Sequence, residues 1–246
     1  MPYIPCKDLE LFYEEFGRGE PLLMLHSAFS RGILAFASQI QPFQGKYRCL
    51  IPDFRGHGRT RCQDLTWDSA RHAEDMIAFL DALGIERVHL MGYSMGANVG
   101  LYLAARHPDR VRSLIAIGAS HEPTPGDVED YLPEPLLARG EHDFIEDMTL
   151  RHQDAHRGDW QTYLRQNAAD WKNHPRLTEA EWQRITCPVL FISGEHDSFS
   201  DLPALQKCCP HALCHLVEGG SHRPHFVMEQ GKEINRMMLD FLDRQK

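Results

Sequence analysis

Apolar and polar residues fall along this chain in blocks that predict a succession of strands and helices. Tyr3 to Pro5 and Leu9 to Phe16 read as an opening hairpin. Short continuous apolar runs follow at Leu22 to Leu25 and at Tyr47 to Ile51, as expected of strands buried on both faces. From about Trp67 to Leu83, the residues Ala73, Met76, Ile77, Leu80 and Leu83 recur at helical spacing, and Gly84 stops the helix. The run Val88 to Met91 leads through Gly92-Tyr93-Ser94-Met95-Gly96 into a helix-like stretch from Ala97 to His107, which ends before Pro108. Leu114 to Ile117 reads as a further strand.

Strands alternating with helices at this spacing predict an α/β fold with a mostly parallel sheet covered on both faces. The pattern breaks from about Ser120 to Ile185, where Pro, His, Asp, Glu and Trp are frequent. Helix-like stretches occur there around Glu134 to Asp147, Trp160 to Lys172 and Thr178 to Ile185. A disordered excursion would share this polarity, but Trp160, Tyr163, Leu164, Trp171 and Trp182 point to packing. The expectation is a core of residues 1–119 and 186–246, with an inserted helical lid over 120–185. The sheet pattern resumes at Pro188 to Ile192, followed by a short helix near Asp201 to Lys207 and a strand at Ala212 to Val217. A closing helix runs from about Phe226 to Leu242.

Length and composition bound this picture. A chain of 246 residues, 42% of them hydrophobic, can bury a substantial core. Its net charge of −9 argues against a nucleic-acid or anionic-membrane partner, because phosphate binding draws on clustered Lys and Arg. No signal peptide is expected at Met1-Pro2-Tyr3-Ile4-Pro5, and no apolar stretch reaches the roughly 20 residues that span a bilayer. Seven scattered cysteines suit reduced thiols in a cytoplasmic setting. Cys208-Cys209-Pro210-His211 with Cys214-His215 invites a metal reading. No second ligand cluster matches it, however, and strand neighbours such as Cys214 and His215 point to opposite faces. No metal and no cofactor are expected.

The candidate chemistry centres on Ser94. A serine with glycines at i−2 and i+2, at a strand-to-helix turn, has the pattern of a nucleophile elbow. A serine hydroxyl needs a base to take its proton and an acid to orient that base. Strand 188–192 runs into Ser193-Gly194-Glu195-His196-Asp197, and strand 212–217 into Gly219-Gly220-Ser221-His222. Glu195, Asp197 and Asp201 are candidates for the acid, and His222 and His225 for the base.

The order serine, acid, histidine resembles the α/β-hydrolase family, and the likeness runs from end to end. Leu25-His26-Ser27 resembles the family's His-Gly segment, and Asp53 to Thr60 its Asp-x-Arg-Gly-x-Gly loop. His222-Arg223-Pro224-His225 resembles its catalytic-histidine segment. The resemblance implies an α/β-hydrolase fold with a central, mostly parallel, eight-stranded sheet. It also implies Ser94 as nucleophile, His222 as base and then acid, and Asp197 as the orienting carboxylate. For the oxyanion hole it implies the backbone amides of Met95 and Ala28, with Phe29 the alternative to Ala28. Ser27 stands where most members have glycine, a substitution that resembles the Asn-Ser segment of the family's enol-lactonases. His26, Arg55 and His57 read as loop anchors.

The expected activity is hydrolysis of a small or medium carboxylic ester, or of a lactone or thioester, by a carboxylesterase-like serine hydrolase. Phe29, Tyr93, Trp171 and Phe199 are candidates for the substrate pocket. Alternatives are C–C bond hydrolysis, an elimination or perhydrolysis on the same residues, and a non-enzymatic ligand receptor on this fold. The partner would be a small acyl compound, with no nucleic acid and no membrane, and the chain a monomer or homodimer.

Overall fold

A computed structural model of the protein describes residues 3–123, 126–226 and 229–245. Strands β1 (Tyr3–Cys6) and β2 (Leu9–Phe16) form the expected antiparallel hairpin. β2 pairs antiparallel with β4 (Tyr47–Pro52), and β3 (Glu20–Leu25) lies between β4 and β6 (Val88–Tyr93), parallel to both. β7 (Val111–Ile117), β8 (Val189–Gly194) and β9 (Leu213–Val217) extend the sheet in parallel. The order is β1-β2-β4-β3-β6-β7-β8-β9. A ninth strand, the two-residue β5 (Arg61–Cys62), pairs with β2 off this path and is too short to leave an alternating pattern in the sequence.

Side-chain alternation along the strands splits the core into two apolar layers. Leu23, Leu25, Leu90 and Leu114 face one side, with α2 (Ser69–Ala82) and α3 (Met95–Arg106) against them. Leu22, Met24, Met91 and Ile115 face the other, covered by α1 (Gly32–Phe43) and α10 (Gly231–Asp243). Each such fully buried side chain contributes about 1.5–3 kcal/mol relative to exposure. The sequence pattern did not reveal α1. The expected closing helix begins at Gly231 rather than near Phe226, and Val227 and Met228 lie outside the described residues.

Between β7 and β8 the chain is largely helical. A 3₁₀ turn at Gly126–Tyr131 leads to α4 (Pro133–Ala138), α5 (His142–Arg151) and α6 (Gln153–His156). Then come α7 (Trp160–Asn173) and α8 (Glu179–Gln183), the latter opened by a capping box from Thr178 and Glu181. The helix expected at Glu134 to Asp147 is thus two helices, separated around Gly140. Tyr163, Leu164 and Trp182 are buried, as their spacing suggested. A short helix α9 (Leu202–Cys208) links β8 to β9. No helix among the described residues is long and apolar enough to cross a membrane.

Candidate active site

β6 delivers Ser94 at the carboxyl edge of the sheet with φ 55° and ψ −121°, a region that non-glycine residues occupy only under constraint. The constraint is visible. The Ser94 N–H donates to the Ile117 carbonyl at 2.8 Å, and its own carbonyl accepts from Ala97 at 2.8 Å and Asn98 at 3.1 Å. The flanking glycines allow the turn to close. A Cβ on Gly92 would stand 2.3 Å from the Gly96 carbonyl oxygen, and one on Gly96 would stand 2.0 Å from the Leu25 carbonyl oxygen. The start of α3 is therefore pressed against β3 at a distance no larger residue tolerates.

His222, in the loop after β9, brings Nδ1 to 2.9 Å from Asp197 Oδ2, and the Asp197 side chain is fully buried. The contact has ion-pair distance without the straight N–H···O geometry of a formed hydrogen bond. The other carboxylate oxygen accepts the Phe199 N–H at 2.9 Å, which fixes the carboxylate plane. The His222 ring packs between Tyr93 and Phe199, with centroids 5.2 and 5.0 Å away. Gly118, at the end of β7, lies directly beneath the pair.

The rival residues are occupied elsewhere. Glu195 accepts the Gly219 N–H at 2.8 Å, and Asp201 caps α9 through Ala204. His225 is fully buried against Tyr93 and Phe36, and burial pushes its pKa down to about 3. His26 Nε2 accepts the Phe54 N–H at 3.0 Å, so its proton sits on Nδ1 and donates to the Ser27 carbonyl at 2.8 Å. His57 Nδ1 similarly contacts the Arg55 carbonyl at 2.9 Å, and burial holds His57 far below the usual imidazole range.

Two amides were candidates in the loop after β3. The Phe29 N–H donates to Tyr163 Oη at 3.0 Å, so Ala28 is the better candidate to receive an oxyanion. Met95 is the first residue of α3, where a backbone N–H has no partner within the helix and the helix dipole favours negative charge.

Ser94, Met95, Ala28 and His222 border one cavity of about 540 Å³. All four residues expected to line the substrate pocket, Phe29, Tyr93, Trp171 and Phe199, border it as well. Sequence reasoning missed Tyr131, Phe144 and Arg151, which complete its wall from the helices between β7 and β8. The ring centroids of Tyr131, Phe144 and Trp171 all lie 5.2–5.5 Å from that of Phe29. A larger groove, about 770 Å³, runs between β9 and α10, but none of the candidate residues lines it.

Sheet order, elbow and acid–histidine pair define a class, and the comparisons agree. The alpha/beta hydrolase fold family matches residues 20–147, and the chain belongs to that family. Among its relatives, a protein of Pseudomonas savastanoi pv. phaseolicola provisionally named carbamate hydrolase RutD is 28% identical over 251 residues, 92% of this chain and 95% of that one. A protein of the same provisional name from Azorhizobium caulinodans is 33% identical over 117 residues, 48% of this chain but only 44% of its own length. Among solved structures, carboxylesterase CesB of Bacillus subtilis superposes with a TM-score of 0.79 at 23% identity, over 98% of this chain and 90% of that one. That likeness is one of fold.

Proposed function

We propose that this chain is a serine hydrolase that cleaves a small or medium carboxylic ester, lactone or thioester through an acyl-enzyme on Ser94. The observation that carries the reading is the strained serine and the His222–Asp197 pair opening into one aromatic-walled cavity. In this scheme His222 takes the hydroxyl proton as Ser94 Oγ attacks the acyl carbon, and then gives it to the departing oxygen or sulfur. Asp197 holds the imidazole in its tautomer and stabilises the imidazolium. The amides of Ala28 and Met95 receive the oxyanion, each worth about 3–4 kcal/mol of transition-state stabilisation. Water, deprotonated by His222, then releases the acid. The helices between β7 and β8 act as a lid over the acyl group, and Phe29, Tyr93, Trp171 and Phe199 contact its apolar part.

The names of the relatives favour one second reading, attack by the same serine on a carbamate carbonyl. A rate comparison between p-nitrophenyl butyrate and the corresponding N-alkyl carbamate separates the two. All seven cysteines are free thiols, which supports a cytoplasmic setting. The deciding experiment is Ser94→Ala, expected to abolish turnover of p-nitrophenyl butyrate with the far-UV circular dichroism unchanged. Activity retained by that variant overturns the proposal.

A further inference from the structure

Phe29 has φ 56°, a left-handed backbone that a bulky side chain enters only when its surroundings impose it. What imposes it comes from the helices between β7 and β8. The Phe29 N–H donates to Tyr163 Oη, on α7, at 3.0 Å. The Phe29 carbonyl accepts from the guanidinium of Arg151, at the end of α5, and that guanidinium is tethered to Asp147 one turn earlier. Tyr163 has no freedom of its own. Its side chain is fully buried, with its ring stacked on His152 at 4.1 Å and edge-on to His57 at 5.2 Å and His156 at 5.0 Å.

These bonds act on consecutive peptide planes. The plane that carries the Ala28 N–H also carries the Ser27 carbonyl, which His26 holds. The next plane carries the Phe29 N–H, held by Tyr163, and the third carries the Phe29 carbonyl, held by Arg151. A peptide unit is rigid, so gripping one of its polar groups sets the direction of the other. The direction of the Ala28 N–H is then fixed on the upstream side by the sheet's own loop, and on the downstream side by the overlying helices.

We propose that Tyr163 and Arg151 are positioning residues for the oxyanion hole, clamping both peptide groups of Phe29 so that the Ala28 amide points at the developing negative charge. The inference rests on the hydrolase reading above. It makes seating of the helical segment a condition of transition-state stabilisation as well as of substrate enclosure. Neither side chain touches the reacting atoms, so their removal changes catalysis through the loop.

The test is Tyr163→Phe, which keeps the buried ring and deletes the clamping oxygen. With p-nitrophenyl butyrate, kcat is expected to fall about 10- to 100-fold while KM stays within about twofold, less than the loss on deleting a donor outright. Affinity for a trifluoromethyl ketone, which mimics the tetrahedral oxyanion, should fall in parallel with kcat. Affinity for the product acid should not change. Arg151→Ala is expected to lower kcat and the ketone's affinity in the same way. Because Arg151 also forms part of the cavity wall, the unchanged affinity for the product acid is read on Tyr163→Phe alone. Arg151→Lys, which restores one donor, should recover part of the loss. Should Tyr163→Phe fail to fold, the Arg151 pair carries the test. A kcat within twofold of wild type in Tyr163→Phe and Arg151→Ala overturns the clamp. If Ser94→Ala is inactive in the same assay, the hydrolase reading survives that result. If Ser94→Ala is active, both proposals fall together.

Discussion

Gly118 illustrates how a residue without chemistry can decide the chemistry beside it. At φ +60° it ends β7, and a methyl group there would stand 2.7 Å from His222 Cε1 and 3.2 Å from Asp197 Oδ2. The backbone conformation already disfavours a side chain by about 1–2 kcal/mol. Gly118→Ala is therefore expected to displace the imidazole and lower kcat on p-nitrophenyl butyrate by about 10- to 100-fold, the scale of a 1 Å misplacement. Its melting temperature should drop only a few degrees. A kcat equal to wild type would show that the strand end does not set the ring's position. None of this can be read from the sequence, because the glycine's neighbours in space are about 80 and 100 residues away in the chain. The strained turn at Ser94 was legible for the opposite reason: although Leu25 and Ile117 help to hold it, the glycines that the turn requires lie within five consecutive residues. The choice between Ala28 and Phe29 stayed open because it depends on Tyr163, 134 positions away.

Among the elements, the loop after β4 is held by one buried cation. Arg55 is 1% exposed and donates to Asp75 on α2 at 2.8 and 3.0 Å and to Asp8 in the first hairpin turn at 2.7 Å twice. It also donates to the Asp64 carbonyl at 3.1 Å. One guanidinium thus ties the hairpin, α2 and the 53–64 loop together, in the bidentate geometry that suits Arg and not Lys. Arg55→Ala leaves the Asp75 carboxylate buried without its partner, and a loss of about 3–5 kcal/mol is expected in urea denaturation. A loss below about 1 kcal/mol would mean the network relaxes into solvent. The same loop explains why α1 escaped notice. The helix starts without a side-chain cap of its own, because its first residue, Gly32, donates instead to Asp53 Oδ1 at 2.9 Å. It also contains Pro42 and a non-helical Phe36, and its only polar side chains, Ser38, Gln39 and Gln41, are crowded into four consecutive positions. No amphipathic stripe or capping signature marks it.

On the scale of the whole molecule, the alternation of apolar runs and helical spacings was enough to anticipate the parallel sheet, because burial on both faces writes itself into its central strands. The histidines were not legible, since fifteen of them are spread along the chain without pattern. In space, five gather between the sheet's upper loops and the helices above: His26, His57, His72, His152 and His156 surround Phe54, Trp67 and Tyr163. Burial, the main cause in each case, holds all five below the usual imidazole range, His156 at about 4. Their neutral forms are part of the fold. A depressed native pKa means that the unfolded chain binds more protons than the native one once the pH falls below about 6.5. Stability is then lost from that pH downward until the native pKa is reached, at more than about 1 kcal/mol per pH unit for each such histidine. Asp170, raised to about 7 chiefly by burial, works in the opposite direction, but it is one group against five. Melting temperature is therefore expected to fall by at least about 10 °C between pH 7.5 and pH 5, since about 1 kcal/mol moves a chain of this size by 2–4 °C. The attribution can be checked at His72, whose ring is stacked between Phe54 and Trp67 with neither nitrogen bonded to any of the described residues. His72→Phe keeps the stack and removes the proton site, so its stability should fall with acid less steeply than wild type by about 1 kcal/mol per pH unit. If the two profiles run parallel, His72 takes no part in the acid sensitivity. Because the native cluster stays neutral until its depressed pKa values are reached, Tyr163 and the Phe29 loop should keep their places in the folded chain, and the fall in melting temperature should come from proton uptake by the unfolded chain.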